Sequence, residues 1–230
     1  ILQTVASKTT KNDKRMRPLI TNKKPFLSAQ AWFGSALLSL YSTSGDVEWL
    51  KRAIRLADTM KMKLYDNENG GFYTSAIDET ATIIPPRKPL ELNAKAARFF
   101  YDLWIYTKDE RFALIPEQSL RAVAVKEILT REGKITGQTA LALEKLTAAY
   151  VEFSVVGENT DPATLALFEA GKLTYHPRKL LHYEKAGRYP VRKKSAMYIC
   201  NPDRCSISIT DPTLVAKQAD SFRLPASFSP

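Results

Sequence analysis

Apolar residues recur at helical spacing in two long stretches of the chain, and the second repeats the first at an offset of about 63 residues, a period of the helical-hairpin kind. In the first stretch Ala29, Trp32, Phe33, Ala36, Leu37, Leu40 and Tyr41 fall on one side of a 3.6-residue rod, with Ser28 placed to cap it. Thr43-Ser44-Gly45-Asp46 breaks the rod and restarts it, glycine at a left-handed C-terminal position and Asp46 as the next N-cap. Val47, Leu50, Ile54, Ala57, Lys61 and Leu64 carry the period on to the turn Asn69-Gly70-Gly71-Phe72-Tyr73. In the copy, Leu92, Ala96, Phe99, Phe100, Leu103 and Trp104 share a face, and Thr107-Lys108-Asp109 replaces the earlier break. Pro116 predicts a helix delayed to Glu117–Leu129, and a further helix is expected over Gly137–Tyr150 with Thr139, Ala142, Leu143, Leu146 and Ala149 inward.

From Val151 the period changes. Glu152 to Gly157, Lys179 to Tyr183 and Ala196 to Cys200 read as strands. Asp161-Pro162 and Thr210-Asp211-Pro212 open short helices with Asp at the N-cap and Pro at the first helical position. Strand, helix, strand with a short crossover predicts a small, mostly parallel sheet. The reading is a basic arm over 1–25, helical hairpins over 26–150, a small α/β subdomain over 151–220 and a tail over 221–230. Between the hairpins, Ser75 to Pro89 is a breaker-rich connection of the kind used for binding loops.

A net charge of +10 raises nucleic acid as a partner, but the excess lies in two segments. One holds Lys8 to Lys24 and the other Arg178 to Lys194, and neither fits a known nucleic-acid-binding pattern. Nucleic acid is therefore not the expected partner. No stretch has the roughly 18 apolar residues of a membrane span, so none is expected, and the chain reads as soluble and cytoplasmic. Its start at Ile1 rather than Met suggests a processed or truncated piece.

Candidate chemistry is sparse. Glycoside hydrolysis needs two carboxyls roughly 5 to 10 Å apart. Asp78 and Glu79 on the connecting loop are the candidates, with Asp66, Glu68 or Glu91 as partners. Phe72 and Tyr73 after two glycines could line a binding mouth, whereas periodicity puts Trp32 in the core. His176 and His182 both fall in the α/β segment and read as a loop residue beside Pro177 and a strand-surface residue, which disfavours an epimerase built on histidine. Cys200 and Cys205 allow two free thiols, a disulfide across the intervening turn, or a redox or metal role. Isolated Gly157 has no Gly-x-Gly-x-x-Gly sequel, and no metal-ligand spacing stands out, so no cofactor and no metal is expected.

Several short motifs, in the right order along nearly the whole chain, resemble one family. Arg15 to Pro18 leading to Ser44-Gly45-Asp46 resembles its basic segment and "TGD" turn. Gly70-Gly71-Phe72-Tyr73-Thr74 with Asp78-Glu79 and Arg87-Lys88 resembles its "GGFFDT…DAE…RPK" loop, and Asn93 to Ala97 its "GNSVAA" helix start. Phe153 to Gly157 resembles "EVVIVG", and Tyr198-Ile199-Cys200, Cys205 and Thr210-Asp211-Pro212 resemble "YVC…C…TDP". These are motifs of the thioredoxin-like-fused six-hairpin α/α-barrel family, of the YyaL and spermatogenesis-associated protein 20 type. The chain resembles the C-terminal part of such a protein. The resemblance implies a partial (α/α)6 barrel with a carbohydrate-related or other ligand-binding role, and Phe72, Tyr73, Arg87, Lys88 and Asn93 near its mouth. If active, it would be glycoside hydrolase- or sugar epimerase-like. Asn22-Lys23-Lys24, Gln30-Ala31-Trp32 and Pro89 to Asn93 depart from the family's mouth loops, so lost catalysis is one expected outcome. Implied partners are an upstream thioredoxin-like domain and the remaining hairpins of the same parent, or self-association over the open face. A module that only supports the redox domain is the alternative.

Overall fold

The computed structural model describes residues 25–76, 87–133, 136–184, 188–189 and 194–223. The chain divides into two compact units, Ile1–Tyr41 with Asp46–Thr147, and Ser42–Gly45 with Ala148–Pro230. The first is built from helices α1 (Leu27–Ser44), α2 (Val47–Leu64), α3 (Leu90–Thr107), α4 (Ile115–Arg121), α5 (Lys126–Glu132) and α6 (Gly137–Thr147), with a 3-10 turn at Glu110–Phe112. The second holds β1 (Val151–Val156), α7 (Pro162–Leu173), β2 (Lys179–Glu184), β3 (Ala196–Cys200) and, after a 3-10 turn at Pro212–Leu214, α8 (Val215–Asp220). The molecule is mainly helical, with a small α/β subdomain after the hairpins.

The repeat is visible in the backbone. Helices α1 and α3 start at Leu27 and Leu90, 63 positions apart, and each runs 18 residues. Gly45 (φ +69°) and Lys108 (φ +52°) occupy equivalent places, and both are left-handed. Asp46 then accepts a hydrogen bond from Glu48 N at 2.9 Å, and Asp109 one from Arg111 N at 3.0 Å. A side chain at a left-handed position is strained by about 1 kcal/mol relative to glycine. Lys108→Gly is accordingly expected to stabilise the fold by about 1 kcal/mol in chemical denaturation; a loss of stability would show that the lysine is held there by something stronger.

The buried face of α1 is rotated in part from the one the periodicity predicts: Leu37 and Tyr41 are buried and Phe33 and Leu40 pack against the core as expected, but the first turns differ. Leu27, Gln30, Ala31, Gly34, Leu37, Leu38 and Tyr41 are buried, while Ala29 and Ala36 are exposed and Trp32 is 56% exposed. The expectation of Trp32 as core is thus corrected. Small residues decide the rotation: a Cβ on Gly34 would lie 2.7 Å from the ring of Phe99, so α3 approaches α1 along the side where glycine leaves room. Helix α2 is rotated likewise, burying Trp49, Ala53, Leu56, Ala57, Met60 and Leu64 and leaving Val47 outside. Helix α1 also begins one residue before Ser28, which therefore is not its cap. On α3 the predicted positions Ala96, Phe99, Phe100 and Leu103 are all in the core.

Pro116 does not delay its helix. It sits in the first turn of α4, where its missing N–H would have no partner anyway, and the break comes later, between Arg121 and Lys126. The last helix of this unit stops at Thr147, with Thr139 and Ala142 buried but Leu143 48% exposed.

In the second unit the strand order is β2-β1-β3. β1 pairs with β2 in parallel and with β3 antiparallel, so the sheet is mixed rather than mostly parallel. The parallel pair is joined through α7. Fewer than a dozen residues separate Glu184 from Ala196, which is short for a second crossover, and β3 returns antiparallel. Asp161 caps α7 by accepting from Thr164 N at 3.2 Å. Lys179 closes its other end, donating to the carbonyls of Gly171, Lys172 and Thr174. One face of the sheet (Phe153, Val155, Leu181, Met197, Ile199) packs with Leu167, Phe168, Val215 and Ala219.

Candidate functional site

The glycine-aromatic turn of the first unit is organised around one carboxylate. Gly70 and Gly71 both have positive φ, so the chain reverses tightly after α2, and Asp66 N and O bond to Gly71 O and Gly70 N at 2.9 Å each. Asp66 Oδ1 accepts from the backbone N–H groups of Glu68 and Asn69 at 3.0 Å. Its Oδ2 accepts from Lys88 Nζ at 2.7 Å, Tyr73 Oη at 2.8 Å and Asn69 Nδ2 at 3.3 Å. The Lys88 ammonium, together with these N–H and O–H donors, holds the Asp66 carboxyl well below the usual carboxylate range. The same hydrogen bond raises Tyr73. Lys88 also donates to Gly70 O at 2.6 Å and lies over the Tyr73 ring.

This arrangement changes the roles expected of the turn. Phe72 is fully buried, stacked on Phe100 at 5.2 Å and tilted against Tyr65 at 4.9 Å, so its ring is core and is not presented to a ligand. Asn93, also fully buried, accepts from Phe72 N at 2.6 Å and donates to Phe72 O and Pro89 O. Its amide pins the turn to the start of α3. Tyr73 and Lys88 are engaged by Asp66, whose carboxyl accepts from five donors and, held well below the usual carboxylate range, is ionised at neutral pH and does not serve there as a general acid. Arg87 is exposed, with its carbonyl accepting from Thr74 N. Asp78 and Glu79 lie outside the described residues.

A second polar cluster in this unit has no counterpart in the sequence reading. Lys95, Arg98 and Asp102 stand at i, i+3 and i+7 of α3, and Gln138 and Lys145 face them from α6. Lys95 is only 9% exposed, with its ammonium 4.2 Å from the centre of the Trp32 ring. Arg98 Nη1 donates to Gln138 Oε1 at 3.0 Å, while its buried Nε has no hydrogen-bond partner among the described residues. Lys145 Nζ lies 2.7 Å from Asp102 Oδ1. Burial lowers the Lys95 pKa, and the neighbouring Arg98 and Lys145 charges lower it further against the pull of Asp102. Burial pushes the Asp102 carboxyl up, opposed by Lys145, Arg98 and Lys95. The signal for this set was the interruption of an apolar helix face by three charges at helical spacing.

A groove of about 610 Å³ runs beside the cluster's helices, lined by Tyr101, Trp104, Pro116, Leu120, Leu143 and Leu146 among others. The exposed side of Leu143 contributes to it.

The second unit buries a polar sheet face of its own. Ser154 Oγ is 3.3 Å from His182 Nε2, and Tyr189 Oη donates to Ser154 Oγ at 3.3 Å. Arg188 bridges Glu152 at 2.7 Å and Glu184 at 3.3 Å, and its pairing with Glu152 raises the guanidinium. His182 is not a surface residue: register puts it beside Ser154, next to the central strand, at 7% exposure, and burial lowers its pKa. His176 is buried too, accepting from Arg178 N. Ser154 has no exposure at all, so this serine and histidine do not form an accessible nucleophile and base. Cys200 and Cys205 are joined by a disulfide across an antiparallel bridge, with Tyr189 Oη 3.4 Å from Cys200 Sγ. No group of three or more His, Cys, Asp or Glu among the described residues is placed to hold a metal ion. Nor is any described helix long and apolar enough to cross a membrane.

Comparison with known proteins gives a relative. Human spermatogenesis-associated protein 20 is 23% identical over 217 residues, covering 84% of this chain and 27% of that protein. The chain resembles spermatogenesis-associated protein 20 over most of its own length. That is the similarity to which the motifs pointed, and the chain spans about a quarter of spermatogenesis-associated protein 20. No family model matches. Two solved structures overlap it in part. A family 76 glycoside hydrolase from a bovine Bacteroides thetaiotaomicron strain covers 44% of this chain and 22% of its own, at 19% identity and TM-score 0.37. The cellobiose 2-epimerase of Spirochaeta thermophila covers 41% and 26%, at 23% identity and TM-score 0.35.

Proposed function

We propose that the helical unit is a carbohydrate-related ligand-binding module, and that its ligand stacks on Trp32. The observation that carries this reading is an indole ring more than half exposed beside Lys95, with Arg98, Gln138, Asp102 and Lys145 next along the helices. A flat apolar ring bordered by donors and acceptors suits the C–H face and the hydroxyls of a pyranose. Asp78 and Glu79 are the carboxylates proposed for glycoside chemistry within this reading. The remaining hairpins and a thioredoxin-like domain of a longer parent are the proposed partners.

Screening neutral mono- and disaccharides by tryptophan fluorescence tests the reading. Trp32→Ala is expected to weaken binding at least tenfold with an unchanged melting temperature, since the ring is outside the core. Binding that is absent, or indifferent to Trp32→Ala, would remove the proposal. Turnover indifferent to Asp78→Ala with Glu79→Ala would remove those two carboxylates from it.

A second reading, an interaction module supporting a redox domain, is favoured by the apolar groove between α3, α4 and α6. It predicts self-association of the isolated chain in sedimentation, relieved by Leu143→Glu. A monomer with no tendency to associate counts against it.

A further inference from the structure

We propose that the second unit carries a thiol–disulfide exchange site, in which Cys205 takes up an external sulfur, Cys200 resolves the mixed disulfide, and Tyr189, Ser154 and His182 draw the proton off Cys200. The two sulfurs differ in access: Cys205 is exposed, while Cys200 is only 2% exposed. An external disulfide can therefore reach Cys205 alone. The turn between them does not depend on the S–S bond. Ser206 N donates to Ile199 O at 2.7 Å, Ile199 N to Ser206 Oγ at 3.0 Å and Asn201 N to Arg204 O at 2.9 Å, and Met197 and Ile209 exchange both backbone bonds further along. Reduction leaves these in place, so the two thiols stay adjacent and the pair can close again as an intramolecular step.

Behind Cys200 runs a line of polar groups with the spacing of a proton path. Tyr189 Oη is 3.4 Å from Cys200 Sγ and donates to Ser154 Oγ at 3.3 Å, and Ser154 Oγ is 3.3 Å from His182 Nε2. The Tyr189 ring is stacked on Tyr198 with centroids 4.3 Å apart, which holds its hydroxyl between the sulfur and the serine. Burial lowers the His182 pKa, so the ring is neutral at pH 7 and keeps one nitrogen lone pair. At Nε2 that lone pair accepts from Ser154. Glu184 on β2 and Glu152 on β1 favour the imidazolium that forms when the proton arrives, and Arg188, paired with both, opposes it. Burial raises the Tyr189 phenol, which keeps its proton and passes it on rather than losing it to solvent.

The steps balance as follows. The Cys205 thiolate attacks one sulfur of the external disulfide, and the other half leaves as a thiolate that takes a proton from water. The Cys200 S–H proton then passes to Tyr189 Oη, that of Tyr189 to Ser154 Oγ, and that of Ser154 to His182 Nε2. The Cys200 thiolate attacks Cys205 Sγ, the mixed disulfide breaks, and the second external thiolate is protonated as His182 returns its proton to solvent. One dithiol is oxidised and one external disulfide is reduced to two thiols.

The test reduces the chain with dithiothreitol, removes the reductant, adds glutathione disulfide, and follows acid-quenched samples by mass spectrometry. A single glutathione adduct at Cys205 is expected to rise and then vanish as the internal disulfide forms. In Cys200→Ser the adduct should persist, and Cys205→Ser should acquire one at least tenfold more slowly. Tyr189→Phe, which keeps the ring on Tyr198, should prolong the wild-type adduct tenfold or more at pH 7. That difference should narrow toward pH 9, where an ordinary thiol, with a pKa of about 8.5, ionises without a relay. His182→Gln should act in the same way; because that side chain is buried, Tyr189→Phe decides if the histidine variant fails to fold. A disulfide that dithiothreitol leaves intact in the folded chain overturns the proposal, as does equal labelling of Cys205→Ser and Cys200→Ser. An adduct lifetime unchanged by Tyr189→Phe, or prolonged equally at pH 7 and pH 9, overturns the proton path.

Discussion

Phe72→Ala is expected to destabilise the helical unit by about 4 kcal/mol, the cost of emptying a fully buried phenylalanine site. The ring stands in a chain of aromatic contacts from Tyr65 through Phe72 and Phe100 to Phe112, with centroids 4.9, 5.2 and 5.8 Å apart. Removing it leaves a cavity that its neighbours cannot close, because α2 and α3 are fixed on either side by the hydrogen bonds of the turn. Phe72→Leu should recover about half of the loss. Urea denaturation measures both. A change below 1 kcal/mol for Phe72→Ala would mean that the ring is not core and would reopen it as a ligand contact.

Asp66→Asn is the second large effect, on the order of 3 kcal/mol at neutral pH, because it strips the counter-charge from Lys88 and reverses part of the acceptor set. The effect has a pH signature. The folded-state pKa of Asp66 is depressed below its unfolded value, so the stabilisation is complete above about pH 4 and drains away as pH falls toward the folded value. The gap between wild type and Asp66→Asn should therefore narrow steadily from pH 4 to pH 2. A constant gap across that range would show that the carboxylate charge is not what stabilises the turn. Lys88→Met should lose a similar amount, and the double variant should lose much less than the sum.

Both predictions concern the same glycine-aromatic turn, and they show what one sequence can and cannot disclose. Element type was readable: the two 18-residue helices 63 positions apart, the capping aspartates and the three strands follow from local spacing and turn chemistry. Helix rotation was not. An α-helix that is apolar nearly all round, as α1 is, offers several equivalent faces, and the choice fell to Gly34 meeting Phe99, a contact between residues 65 positions apart. That one contact moved Trp32 from core to surface. The roles of Asn93 and Asp66 were hidden for the same reason, since their partners come from other turns of the chain. A motif of glycines and aromatics does not distinguish a binding mouth from a clamp that seals a core; the hydrogen bonds do. The charged set on α3 was visible as spacing, but its partners, Gln138 and Lys145, come from α6.

The central position of β1 has a consequence for biosynthesis. It is the first strand of its sheet to leave the ribosome, yet both of its edges are completed by later segments, Lys179–Glu184 on one side and Ala196–Cys200 on the other. Until Cys200 has emerged, a strand of Val151, Phe153 and Val155 presents open backbone hydrogen-bonding groups to any neighbouring chain. Nascent chains stalled between Val156 and Ala196 should thus be the most dependent on chaperones, and release after Cys200 should end that dependence.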